Sequence, residues 1–163
     1  MNRPIRILEL VNGYAVEGPL GGAERFVIEM TTGLDKALVQ PQAFGLGRWG
    51  SPHQEKWRKV LMAAGIPAHE GPPKDDTSPY QNFLGALRAI RQAVPGPVEI
   101  IHRHSEFGDT AALLLRRSLH ARAVIRTVHN EREWPRRPER RLLLTHLLYP
   151  LAFDAELAVS QRA

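Results

Sequence analysis

Short apolar runs alternate with amphipathic stretches along the chain, and this alternation predicts its secondary structure. The predicted strands cover residues 5–11, 41–46, 66–69, 98–102, 123–128 and 155–159. The predicted helices cover residues 23–34, 52–64, 79–94, 109–119 and 140–148. Strands that alternate with helices are typical of a parallel sheet covered on both faces. We therefore predict an α/β, Rossmann-like doubly wound sheet with strand order 3-2-1-4-5-6.

Serine and proline residues mark several of the helix boundaries. The pairs Ser51-Pro52 and Ser78-Pro79 are typical of an N-cap followed by a proline in the first helical turn. The last predicted helix lies between Pro138 and Pro150. It carries a leucine stripe that we assign to the core, formed by Leu142, Leu143, Leu147 and Leu148.

Length and composition indicate one globular domain over residues 1–163. The apolar fraction of 43% and the charged fraction of 24% are ordinary for such a domain. No apolar run approaches the length needed to cross a bilayer, and Glu9 within the first strand argues against a secretory signal. The absence of cysteine excludes disulfides and thiolate metal sites, and it fits a cytoplasmic location.

The formal net charge of +5 comes largely from an arginine-rich segment in the later part of the chain. Its members are Arg116, Arg117, Arg122, Arg126, Arg132, Arg136, Arg137, Arg140 and Arg141. Such a segment forms a solvated face, or it contacts an anionic membrane surface or a phosphorylated acceptor. No nucleic-acid motif accompanies it, so we expect peripheral membrane contact rather than a nucleic-acid partner.

Three predicted strands end in residues suited to ligand binding, and parallel strands bring such ends to one rim of the sheet. Gly21 and Gly22 stand at a strand-to-helix junction, where uncovered backbone N–H groups and the helix dipole favour a phosphate. The alternative is a tight turn that needs two glycines. Glu24 follows in the first helical turn, where it contacts substrate or stabilises the helix end. Neither a dinucleotide-binding glycine motif nor a P-loop is present.

Three histidines occupy the other two strand ends. His102 and His104 alternate along one strand and share a face, which together with His129 raises the question of a metal site. We identify no carboxylate in register to complete such a site and expect no metal. We assign His102 to packing or a structural hydrogen bond, His104 to the lining of an acceptor pocket, and His129 to contact with a sugar hydroxyl or phosphate. For His129 the alternative is a surface histidine that caps the next segment.

Further polar residues near these strand ends are suited to contact with an anionic or hydroxylated acceptor: Arg103, Arg126 and Asn130.

Four short motifs in this order resemble the N-terminal domain of glycosyltransferase family 4. They are Gly-Gly-Ala-Glu at 21–24, His-x-His-Ser at 102–105, Thr-x-His at 127–129 and the closing strand Leu-Ala-Val-Ser at 157–160. The family comprises retaining, nucleotide-sugar-dependent enzymes of GT-B fold. The resemblance covers the whole chain but only the N-terminal half of such an enzyme.

The resemblance implies transfer of a hexose from a UDP- or GDP-linked donor to a glycan, lipid or small-molecule acceptor, with no other cofactor and no bound metal. It places His129 beside the donor sugar and the reaction centre, as the catalytic residue. From the residues themselves we assign donor-phosphate or substrate binding to Gly21, Gly22, Glu24, His104 and Asn130. The nucleotide-binding domain lies outside residues 1–163, so we expect a fragment of a longer enzyme with little or no activity alone. The alternative is a non-catalytic Rossmann-type module that binds an anionic ligand.

Overall fold

A computed structural model describes residues 3–14, 22–74, 78–129, 139 and 141–159. Its centre is a six-stranded sheet of parallel strands in the order β3-β2-β1-β4-β5-β6. The strands are β1 (Ile5–Val11), β2 (Val39–Gly45), β3 (Ala68–Glu70), β4 (Ile100–Arg103), β5 (Ala123–Val128) and β6 (Ala155–Ala158). The predicted α/β class and strand order are both confirmed.

Helices connect the strands as predicted. They are α1 (Gly22–Gly33), α2 (Pro52–Ala63), α3 (Pro79–Ala93), α4 (Glu106–Arg116), the π-helical α5 (Arg141–Leu148) and the short α6 (Tyr149–Ala152). Ser51 and Ser78 cap α2 and α3, because their hydroxyls accept hydrogen bonds from the backbone N–H of residues two or three positions later. No helix in the described parts of the chain is long and apolar enough to cross a membrane.

Helix α4 begins at Glu106, earlier than the predicted start at Asp109. The reason is Ser105, whose hydroxyl accepts a hydrogen bond from the N–H of Gly108 at 3.2 Å and so caps the helix directly after β4. This cap places the first turn of α4 at the carboxyl edge of the sheet.

The assignment of the leucine stripe to the core was wrong for the three members whose side chains the structure describes, and the side chain of Leu142 lies outside that description. Leu143, Leu147 and Leu148 are 60%, 58% and 46% exposed, and every residue of the neighbouring edge strand β6 is exposed. No element among the described residues covers this face. Pro150 does not end the helical stretch, because it lies in the first turn of α6, where a proline costs no hydrogen bond.

Two apolar clusters cover the two faces of the sheet, as a doubly wound fold requires. One joins β1, β2, β4 and β5 to α3 and α4, with Leu8, Ile90, Ile101 and Leu115 fully buried. The other joins β1 and β2 to α1 and α2 through residues that include Val27 and Leu61. These layers hold the central strands in fixed register, so the positions of their ends are fixed as well.

The chain beyond β3 packs closely against the end of β2. The N–H of Gly71 donates to the carbonyl of Gly45 at 2.8 Å. A Cβ at Gly71 would lie 2.2 Å from the carbonyl oxygen of Leu46, so only glycine allows this backbone approach.

Candidate functional site

A cavity of about 530 Å³ opens at the carboxyl ends of the central strands. It is lined by Asn12, Gly22, Ala23, Glu24, Phe26, His104, Ser105, Glu106, His129 and Val159. The start of α1 and the ends of β4 and β5 therefore meet on one rim, as the strand pattern predicts. Gly21 and Asn130, both predicted to bind substrate, lie outside the described residues.

The start of α1 contributes an open backbone surface and a carboxyl group to the cavity. Gly22 is exposed, and a Cβ placed there would meet nothing within 4 Å, so the fold itself does not require glycine at this position. Glu24 is half-buried beside it. Burial raises the pKa of the Glu24 carboxyl above its usual value.

Beneath the cavity, a buried carboxylate connects two strands. Parallel pairing sets Glu9 of β1 beside His102 of β4. One oxygen of Glu9, Oε2, lies 3.0 Å from Nδ1 of His102 and 2.9 Å from Nε2 of His104. The other ring nitrogen of His102, Nε2, lies 2.8 Å from the hydroxyl of Thr127 on β5. His102 is thus bonded on both sides inside the fold, which agrees with its assignment to packing.

His104 links this buried group to the cavity. Its Nδ1 lies 3.3 Å from Nε2 of His129, which follows β5. The ring of Phe26 on α1 meets the His129 ring edge to face, with centroids 5.2 Å apart. His104 is buried, whereas His129 is half-buried, so His129 is the more accessible of the two imidazoles that line the cavity.

Burial sets the charge state of these groups. Burial lowers the pKa of His129 to about 4, and the positive charges of His104 and Arg103 act in the same direction. Burial also lowers the pKa of His104, against the opposing effect of Glu9. For Glu9, burial alone would raise the pKa, but the hydrogen bonds and charges of His102 and His104 outweigh it, and the pKa falls below its usual value. At neutral pH, His104 and His129 are therefore neutral and Glu9 is ionised.

Within the described residues, Glu9, His102 and His104 form the one group with enough ligand atoms for a metal ion, all within 4.8 Å of one another. The absence of a carboxylate in register, assumed in the sequence argument against a metal, was therefore wrong. The separations of 2.9 and 3.0 Å between ligand atoms are those of hydrogen bonds. We therefore interpret the group as a hydrogen-bonded cluster.

The two arginines suggested as acceptor contacts are fully buried within the fold. Arg103 forms an ion pair with Asp109 of α4, and both side chains are shielded from solvent. Arg126 lies 3.1 Å from a carboxylate oxygen of Glu156 and stacks its guanidinium over the ring of Tyr149 at 4.8 Å. Both cations thus serve to join strands and helices.

A second, mostly apolar cavity of about 290 Å³ lies next to the first and shares Asn12 with it. Trp49, Phe83 and Phe107 are among its lining residues. The ammonium group of Lys74 lies 4.5 Å from the centre of a Trp49 ring, which adds one positive charge to this apolar wall.

Sequence reasoning missed Glu9 as part of the site. Its signal was present, because a carboxylate inside an otherwise apolar strand is expensive to bury unless it has partners. In the sequence alone, Glu9 served only as an argument against a secretory signal. The partners themselves depend on the pairing of β1 with β4, which are distant in sequence.

These features define a Rossmann-like domain with a ligand-sized cavity at the ends of its strands, lined by a glycine-led helix and two histidines. A family model for Glycosyltransferase Family 4 matches residues 20–163. The chain belongs to glycosyltransferase family 4, as an N-terminal domain of glycosyltransferase type. No curated protein matches the sequence.

Proposed function

We propose that the chain is the acceptor-side domain of a retaining glycosyltransferase that moves a hexose from a UDP- or GDP-linked donor to an acceptor hydroxyl. The observation that carries the proposal is the position of His129. This imidazole lines the same cavity as the start of α1, at the strand ends where open α/β sheets bind ligands. Family membership supplies the reaction class.

Each cavity residue has a role suited to its chemistry. His129 is neutral, so it accepts a hydrogen bond from a sugar hydroxyl or donates one to it without adding a charge to the cavity. The open backbone at Gly22, together with Gly21, admits a donor phosphate to the N-terminus of α1. Glu24, His104 and Asn130 contact the sugar or the acceptor.

Transfer with retention depends on position more than on a strong base. The bond from the anomeric carbon to the phosphate breaks as the acceptor oxygen approaches from the same face, and the departing phosphate carries the negative charge. Stabilisation of that charge and alignment of the acceptor then dominate the rate. We propose that a further domain supplies most nucleotide contacts, so residues 1–163 alone catalyse little transfer.

The lining of the second cavity supports a proposal about the kind of acceptor. Its apolar wall adjoins the His129 cavity at Asn12, and Lys74 provides one cation beside Trp49. An acceptor with an apolar portion fits this lining.

We further propose a cytoplasmic protein that contacts the inner membrane face through the arginine-rich segment. Much of that segment lies outside the described residues, and Arg116 and Arg126 are engaged with Asp154 and Glu156.

Replacement of His129 in the full-length enzyme tests the proposal. His129→Ala is expected to lower sugar transfer about a hundredfold, the scale of a lost transition-state contact. The matched control is His53→Ala, which removes an exposed histidine from α2 and should leave transfer unchanged. Initial rates per folded molecule and melting temperatures are measured for both variants. Full transfer by His129→Ala, or a loss of transfer that only follows unfolding, would contradict the assignment.

A further inference from the structure

A continuous line of buried polar contacts crosses three strands and ends at His129. It runs from Thr127 through His102, Glu9 and His104 to His129, with separations of 2.8, 3.0, 2.9 and 3.3 Å. Glu9, His102, His104 and Thr127 are all buried, and the line reaches the cavity only at its His104–His129 end. Its interior members therefore act on a ligand only through His129 or His104.

The ionised carboxylate fixes the direction of each hydrogen bond. Glu9 only accepts, so His104 must donate to it from Nε2. A neutral imidazole carries one N–H, so Nδ1 of His104 holds a lone pair and accepts. Its partner, Nε2 of His129, must then carry the proton. The lone pair of His129 is consequently on Nδ1.

We propose that Glu9 and His104 are positioning residues that hold His129 in one tautomer, with Nε2 protonated and Nδ1 available to accept a hydrogen bond from a substrate hydroxyl. The inference rests on the proposed function for the role of Nδ1, but the tautomer itself follows from the contacts. A second-site carboxylate that orients an imidazole is a general way to fix its tautomer and ring orientation.

Two isosteric replacements of His104 separate positioning from packing. In His104→Asn, the side-chain oxygen replaces Nδ1, so the acceptor for His129 is kept and the donor to Glu9 is lost. In His104→Gln, the amide reaches the place of Nε2, so the donor to Glu9 is kept and the acceptor for His129 is lost. Each variant removes one hydrogen bond, and asparagine is one methylene smaller than glutamine, so a purely structural role predicts that His104→Asn loses at least as much transfer as His104→Gln.

The first measurement is the ¹⁵N spectrum of the His129 ring in the 163-residue chain at neutral pH, where protonated and lone-pair nitrogens resonate far apart. Wild type and His104→Asn are expected to show a protected Nε2–H on His129. In His104→Gln that proton should exchange rapidly. A wild-type His129 protonated on Nδ1 would overturn the proposal. A metal ion bound to Glu9 and to Nε2 of His104 would impose that tautomer, because Nδ1 of His104 would then carry the proton and donate it to Nε2 of His129. This wild-type result requires no variant to fold.

The second measurement is sugar transfer by the full-length enzyme. His104→Gln is expected to transfer sugar about tenfold more slowly than His104→Asn, the scale of one hydrogen bond. Equal losses in the two variants would overturn the positioning role. If the ¹⁵N pattern holds but neither variant changes transfer, the tautomer is confirmed and the catalytic role of His129 in the proposed function fails instead.

Discussion

The low pKa of His129 makes the stability of the fold depend on pH. An unfolded chain leaves histidine with a pKa near 6.5, whereas burial in the folded state lowers it to about 4. Between these values the unfolded chain binds more protons than the folded chain. The contribution of neutral His129 is therefore fully present above about pH 6.5 and is lost as the pH falls towards 4.

The size of this effect follows from the two pKa values. At about 1.4 kcal/mol per pH unit, the full difference is worth about 3 kcal/mol, of which about 2 kcal/mol is already lost at pH 5. Urea unfolding of the wild type and of His129→Gln at pH 7 and pH 5 measures it, because glutamine does not titrate. The wild type should lose about 2 kcal/mol more than the variant between these pH values.

The comparison of the two chains cancels the contributions of other titrating groups, among them His69, whose pKa burial also lowers. His53→Gln on the exposed face of α2 serves as the control for the loss of a histidine outside the cavity. If His129→Gln loses stability between pH 7 and pH 5 as steeply as the wild type, burial does not lower the pKa of His129 in the folded chain. The charge state assigned to the cavity would then be wrong.

Two further substitutions test the framework around the site, again by urea unfolding. Asp109→Asn removes the negative charge opposite buried Arg103 and should lower the free energy of unfolding by about 3–5 kcal/mol. Glu29→Gln breaks an exposed pair with Arg25 and should lower it by about 0.5 kcal/mol or less. Similar losses in the two variants would show that the buried pair is solvated. Gly71→Ala forces a Cβ against the backbone of Leu46 and should cost more than about 1 kcal/mol, while Gly33→Ala on α1 has free space and should be neutral or stabilising. A tolerated Gly71→Ala would contradict the close approach of the two segments.

The alternation of apolar runs and amphipathic stretches was sufficient to predict the sheet. Strand order and the common rim follow from general rules for α/β folds, because helices of this length return the chain for parallel pairing. The leucine stripe of α5 was not predictable in the same way. Its periodicity indicates one apolar face, but only the neighbouring elements decide whether that face is covered, and Leu143 and Leu147 are exposed.

The candidate site was predicted in outline, as residues at strand ends, but its chemistry was not. The alternation of His102 and His104 gives their shared face. It does not give the partner on that face, because the register of β4 against β1 depends on packing across the whole sheet. The contacts of Glu9 with His102 and His104 therefore became known only from the structure. Likewise, Arg103 is the last residue of β4 and Arg126 lies within β5, but both side chains point into the fold, where acidic partners hold them.

The buried charges of the central strands hold the wall of the cavity in a defined shape. Arg103 immediately precedes His104, and its ion pair with Asp109 ties the end of β4 to the first turns of α4. Ser105 caps that same helix, so the chain has little freedom between the strand and the cavity wall. Burying such groups costs stability unless each is paired, and an ion pair of this kind contributes more to a specific arrangement than to net stability. The stability that the fold gives up to bury these charges is consistent with a role in function, because the buried ion pair holds His104, and through it His129, in the orientation that the cavity requires.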